Sequence, residues 1–229
     1  MGHLRRLIAF DLDGTLVESR RDLADSANDL IAELGGQPLA IEAVAGMVGE
    51  GAGVLVRRVL DAAGIGVGIG GGIGDASGAL SRFLAIYDAR LLNHTFVYDG
   101  IPEALARARR HARVAVLTNK PIAASERILR ALGLRDLFDE VIGGDGPHAR
   151  KPDPAALVAM MARAGADPAN ALLVGDSTID HETARRASVR CCLVTYGFGF
   201  TAERLDGTEW VADDAAGVTR AIAEFVGGG

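Results

Sequence analysis

The apolar run RLIAFDL (6–12) drives straight into Asp11 and Asp13 and then Gly14. A short apolar run bounded by polar and turn residues predicts a buried strand. The period then becomes helical. Leu23, Ala27, Leu30, Ile31 and Leu34 fall on one helical face, and Gly35-Gly36 follows as a stop. GVLVRRVLDAAG (53–64) and ALSRFLAIYDARLL (79–92) predict two more helices, the second with Leu80, Phe83, Leu84, Tyr87 and Leu91 on one side. No strand is predicted between residues 17 and 92. Short apolar runs then return as RVAVLTN (113–119), EVIGGD (140–145), ALLVGDS (171–177) and RCCLVTYG (190–197). Helical segments at 101–110, 121–132, 154–164 and 180–187 separate them. For the third of these, Asp153 is the expected N-cap, Pro154 the first turn and Gly165 the stop.

Strand alternating with helix implies an α/β fold, a Rossmann-like parallel sheet with helices on both faces. One strand precedes the helical block and the others follow it. The expected organisation is a core of residues 1–16 and 93–229 with an all-helical insert, 17–92, after strand 1. Open parallel sheets bind ligands beyond the carboxyl ends of their strands. Asp11 and Asp13, then Thr118 and Asn119, then Asp176 and Ser177 stand at three such ends, which makes that edge the candidate site.

Composition narrows the picture. A chain of 229 residues that is 49% hydrophobic can bury a large core. A net charge of −6 disfavours nucleic acid or an anionic membrane surface as the main partner. No apolar run reaches spanning length, and MGHLRRLIAF lacks the features of a signal peptide. A cytoplasmic protein with no membrane partner is expected, as monomer or homodimer. Cys191 and Cys192 are adjacent and read as small apolar fillers of a strand in a reducing compartment. The run GIGVGIGGGIGDASG (64–78) matches G-x-G-x-x-G at Gly66, Gly68 and Gly71, but a helix rather than a strand precedes it, so it reads as a flexible loop. Neither lysine follows a glycine, which excludes a nucleotide P-loop. Gly227–Gly229 is expected to be a disordered tail. Of the 24 basic residues only two, Lys120 and Lys151, are lysine. Where a generic positive charge suffices this chain uses Arg, so a lysine inside a motif points to a task that an ammonium performs and a guanidinium does not.

DLDGTL after a strand, LTN at a second strand end, the lysine of KPDP, and GDSTID after a further strand occur in that order. Together they resemble the haloacid dehalogenase (HAD) superfamily of phosphohydrolases over nearly the whole chain. The resemblance implies that the insert is that superfamily's small helical cap and that the chemistry is Mg²⁺-dependent phosphoryl transfer. A dianionic ester repels an attacking carboxylate, and a divalent cation between them removes that obstacle. By resemblance Asp11 is the nucleophile and a metal ligand. Asp13 is the acid and base, with its backbone carbonyl on the metal. Thr118 and Asn119 bind phosphate through a hydroxyl and backbone amides. Lys151 neutralises nucleophile and phosphate, and Asp176 completes the metal ligands. Asp180 orients Asp176, Lys151 or metal-bound water. Ser177 reads as a helix cap. Lys120 in TNKP is typical of the phosphoglycolate phosphatase-like branch, and the sequence leaves open whether its side chain enters the site or faces solvent. His94, His111, His148 and His181 receive no role.

VGEGAGVLVRRVL (48–60), VYDGIPEAL (97–105) and LTNKP resemble phosphoglycolate phosphatases. They imply hydrolysis of 2-phosphoglycolate to glycolate and phosphate through an aspartyl-phosphate. Arg57, Arg58 and the amides around Glu50-Gly51 are candidates for the substrate carboxylate, although both arginines equally suit a solvated helix face. Alternatives are a sugar phosphate, nucleotide or pyrophosphate, a phosphomutase, and a non-catalytic phosphate-binding module. The last is disfavoured because Asp11, Asp13, Lys151 and Asp176 are all present.

Overall fold

A computed structural model describes residues 6–66, 75–201, 205, 207 and 209–228. Six strands form one sheet: β1 (Leu7–Phe10), β4 (Arg113–Leu117), β5 (Glu140–Ile142), β6 (Ala171–Gly175), β7 (Arg190–Val194) and β8 (Trp210–Ala212), in the order β5-β4-β1-β6-β7-β8. Every neighbouring pair is parallel. β1 lies between β4 and β6 and is buried on both faces, which is why its sequence is a continuous apolar run. Alternation along the strands divides the core. Ile8, Phe10, Val116 and Val174 face one cluster, and Leu7, Ala9, Ala115 and Leu173 face the other. Helices α5 (Ile101–Ala108), α6 (Ile122–Ala131) and α9 (Ala215–Gly227) pack on the first side, and α7 (Ala155–Ala164) and α8 (Thr178–Arg186) on the second.

Four helices come between β1 and β4: α1 (Arg20–Glu33), α2 (Ile41–Ala45), α3 (Ala52–Ala62) and α4 (Ala76–Arg90). They pack chiefly on one another through Leu30, Ile31, Val56, Val59, Leu60 and Phe83. An antiparallel ribbon of β2 (Val17–Glu18) and β3 (Phe96–Val97) joins the outgoing and returning chain. Asp22 reinforces that junction. It is buried, and its carboxylate accepts from the His94 and Thr95 backbone N–H groups and the Thr95 hydroxyl at 2.7–3.0 Å.

Several elements depart from the pattern-based expectation. β2 and β3 are two residues each, too short for a period to register, and α2 has only five. β8 and α9 lie past the last predicted strand, although Asp214 caps α9 by accepting from the Gly217 N–H at 2.7 Å and Val218, Ala221, Ile222 and Phe225 form its buried stripe. Gly227 closes that helix instead of beginning a disordered tail, and Gly229 is outside the described residues. In α7 the cap position falls to Pro154, while Asp153 still accepts from the Ala155 N–H at 2.9 Å. Residues 67–74, most of the glycine-rich run, are outside the described residues.

Candidate active site

The sheet ladder carries the chain one residue past β1, where the Asp11 N–H donates to the Val174 carbonyl at 2.9 Å. The backbone then folds over the Leu12 carbonyl, which accepts from the N–H groups of Thr15, Leu16 and Val17. Leu12 is fully buried, so Asp11 and Asp13 are presented on either side of an anchored residue. The turn needs glycine at position 14, where φ is +81° and a Cβ would run into the Asp176 carboxylate.

Behind Asp11 stands Lys151. Its ammonium lies 2.9 Å from Asp11 Oδ1 and 2.6 Å from Asp180 Oδ1, and its side chain is only 2% exposed. Asp180 is held in turn by a capping box at the start of α8. Its Oδ2 accepts from the Ser177 hydroxyl at 2.5 Å and the Ser177 N–H at 3.2 Å. Gly175 makes room for this, since a Cβ there would collide with the Asp180 carboxyl. Asp176 Oδ2 accepts from the backbone N–H groups of Phe198 at 2.6 Å and Gly199 at 3.2 Å.

Oxygens of Asp11, Asp176 and Asp180 all lie within 4.8 Å of one another. One lysine faces three buried carboxylates, leaving excess negative charge in a low-dielectric edge of the sheet. Burial pushes the Asp11 carboxyl up to about 6, with Lys151 opposing and Asp180 adding to the rise. Asp176 is held well above the usual carboxylate range by burial, then by Asp180 and Asp11, against the two backbone N–H groups. Burial works against the Lys151 ammonium, but Asp11 and Asp180 outweigh it and raise its pKa. Hard oxygen donors with uncompensated negative charge fit a divalent cation. Asp11 and Asp176 have the freer oxygens, because Asp180 is committed to Lys151 and Ser177.

Asp13 belongs to a second cluster. Both its oxygens accept from Lys120 Nζ, at 2.8 and 2.9 Å, and Oδ1 also accepts from the Ser19 hydroxyl at 2.5 Å. Lys120 is buried, with its ammonium 4.7 Å from the centroid of the Tyr87 ring on α4. Burial opposes its charge, but Asp13 more than offsets this and its pKa is raised. Lys120 is therefore inside the site, which decides the question the sequence left open. Ser19 and Tyr87 are additions that no motif signalled; the chain's sparing use of lysine was the one available hint for this cluster.

Thr118 and Asn119 stand at the end of β4, as expected, but the Asn119 side chain is fully engaged. Its Oδ1 accepts from the Lys151 N–H at 2.9 Å, and Nδ2 donates to the Lys151 carbonyl at 2.9 Å and to the Gly49 carbonyl at 2.8 Å. It braces the Lys151 loop against the helical block, and only its backbone is left for a ligand. The Thr118 hydroxyl accepts from the Lys120 N–H at 3.2 Å.

These groups open on a cleft of about 250 Å³ between the sheet edge and the helices. Asp11, Asp13, Thr118, Asn119, Lys120 and Asp176 form its floor, and Val48, Leu55, Phe83, Leu84 and Tyr87 contribute an apolar roof. Gly49 and Gly51 also line it, whereas Arg57 and Arg58 do not. Arg58 turns to Glu50 and the Met47 carbonyl, so the solvated-face alternative describes it. His181 pairs with Glu209 away from the cleft, and Cys191 and Cys192 are buried free thiols in β7.

A family model described as haloacid dehalogenase-like hydrolase matches residues 8–194. A phosphoglycolate phosphatase of Rhodospirillum rubrum is 41% identical over 212 residues, spanning 92% of this chain and 88% of the relative. One from Pseudomonas putida is 42% identical over 202 residues, covering 86% of this chain and 72% of its own length. A crystal structure of a predicted phosphoglycolate phosphatase from Haemophilus somnus superposes with a TM-score of 0.86 at 32% identity, over 95% of this chain and 97% of the other. Sheet order, motif positions and these relatives agree, and the chain belongs to the haloacid dehalogenase-like hydrolases.

Proposed function

We propose that this protein is a Mg²⁺-dependent phosphatase that cleaves 2-phosphoglycolate to glycolate and phosphate, with residues 17–92 acting as a cap over the core. The observation that carries this reading is the arrangement of Asp11, Asp176, Asp180 and Lys151 at one end of the sheet. The substrate is supported by relatives at about 40% identity that bear the name phosphoglycolate phosphatase.

A divalent cation held by Asp11, Asp176 and the Asp13 carbonyl would draw charge from the phosphoryl oxygens and let a carboxylate approach them. Asp11 attacks phosphorus as a carboxylate and forms an aspartyl-phosphate. Lys151 holds the other side of that carboxylate and balances charge as the phosphoryl group transfers. Asp180 keeps the lysine aimed. Thr118 and the backbone N–H groups that follow it receive phosphoryl oxygens. Asp13 gives its proton to the departing alkoxide, then takes one from the water that opens the aspartyl-phosphate. The helical roof excludes bulk water during both steps.

A panel of small phosphate esters assayed with Mg²⁺ and with EDTA tests the reading. The expected result is metal-dependent turnover with 2-phosphoglycolate preferred, abolished in Asp11→Asn. Preference for a sugar phosphate or nucleotide would overturn the substrate, and undiminished phosphate release by Asp11→Asn would overturn the mechanism.

A further inference from the structure

The apolar roof raises a question that the phosphoryl site leaves unanswered: what recognises the other end of the substrate? Among the described residues lining the cleft, Lys120 is the only one with a cationic side chain. Arg57 and Arg58 are not part of the lining, and Lys151 lies behind Asp11. Two of the three donors of the Lys120 ammonium go to Asp13, and the face of Tyr87 stands beside it. The Tyr87 hydroxyl is buried beside the Lys120 ammonium and has no other hydrogen-bond partner among the described residues, so its proton is left for a ligand oxygen.

We propose that Lys120, aided by the Tyr87 hydroxyl, is the specificity-determining group for a carboxylate on the carbon next to the ester oxygen. This rests on the phosphatase reading above and deepens it by naming the residue that selects an α-phosphorylated acid. The geometry follows from Asp13. That carboxyl must meet the ester oxygen to protonate it, and the Lys120 ammonium is hydrogen-bonded to both Asp13 oxygens. A cation one carboxyl group away from the ester oxygen is within reach of a carboxylate on the adjacent carbon. An uncharged tail would leave the third donor of that ammonium unanswered. Val48, Leu55, Phe83 and Leu84, which line the same cleft, offer no polar side chain and lower the dielectric there, which strengthens a single charge–charge contact.

The test compares 2-phosphoglycolate with ethyl phosphate, which lacks the carboxylate. In Lys120→Gln both activities fall because Asp13 loses its partner, but the ratio of kcat/KM for 2-phosphoglycolate over ethyl phosphate falls roughly 10- to 100-fold further. An equal fall in both, leaving the ratio unchanged, overturns the proposal and reduces Lys120 to a positioning residue for Asp13. A wild-type enzyme with no preference for 2-phosphoglycolate instead sinks the functional reading itself, and this proposal with it. A second measurement needs no loss-of-charge variant. With only two lysines in the chain, ε-¹⁵N-lysine labelling gives two side-chain ammonium signals, assigned with Lys120→Arg. In wild-type protein with Mg²⁺ and orthovanadate, glycolate is expected to shift the Lys120 signal and equimolar ethanol to leave it in place. A Lys120 signal that responds identically to both refutes the assignment.

Discussion

Replacing Lys151 by Met removes the only cation that, among the described residues, contacts Asp11 and Asp180, while keeping most of the side-chain volume. Lys151 is 2% exposed and makes ion pairs of 2.9 and 2.6 Å. Without it, Asp11, Asp176 and Asp180 share a buried edge with no compensating charge. Breaking a buried pair from one side costs about 3–5 kcal/mol, because the abandoned charge stays desolvated. For a protein of this size each kcal/mol moves Tm by about 2–4 °C, so the metal-free variant should melt roughly 6–20 °C below wild type at pH 8. The deficit should also depend on pH. Asp11 already titrates near 6 with Lys151 present, and removing the lysine raises it further. Below that point Asp11 is neutral and the missing cation matters less, so the gap between variant and wild type narrows toward pH 5. Thermal and urea unfolding in EDTA at both pH values, with coincident far-ultraviolet and fluorescence transitions, measures it. A variant within about 1 kcal/mol of wild type at pH 8, or a deficit constant with pH, would refute the charge balance described for this site.

Other consequences are equally direct. Protons and metal compete for Asp11 and Asp176, so Mg²⁺ affinity measured by calorimetry should weaken as pH falls, by at least about tenfold per pH unit below the Asp11 value of about 6; affinity independent of pH between 5 and 7 contradicts this. Asn119→Ala strips the Lys151 backbone of two partners and frees the Gly49 carbonyl, so kcat should fall by roughly one to two orders of magnitude and amide exchange in the 48–51 loop should accelerate. Unchanged exchange would mean that Asn119 does not brace that loop. Gly175→Ala thrusts a methyl into the Asp180 carboxyl, and activity should drop far more than with Gly227→Ala, where a Cβ meets nothing within 4 Å.

The motif residues were legible because their chemistry is tied to strand ends. Asp11, Asp13, Thr118, Asn119 and Asp176 each follow a buried apolar run, and in a parallel sheet such positions converge on one edge. Asp180 was legible as a partner because position N3 of a helix points back at its cap, and it does bond both Ser177 and Lys151. What stayed hidden depends on contacts between distant segments. Nothing in α4 distinguishes Tyr87 from the other apolar positions on its face, since its role arises only when the helical block folds over Lys120. The Asn119 bracket to Gly49 likewise spans 70 residues of sequence. The ribbon of β2 and β3 went unread because two-residue strands carry no period. For Arg58 residue type alone left two readings open, and the contact decides between them: the side chain answers Glu50.

In the proposed reaction Asp11 is the group that takes the phosphoryl from the substrate. Acid quenching of steady 2-phosphoglycolate turnover, followed by peptide mass mapping, tests it directly. A phosphoryl group is expected on the peptide carrying Asp11, localised to that side chain and absent from Asp11→Asn. Phosphorylation of a different residue, or equal labelling of the Asp11→Asn protein, would contradict it.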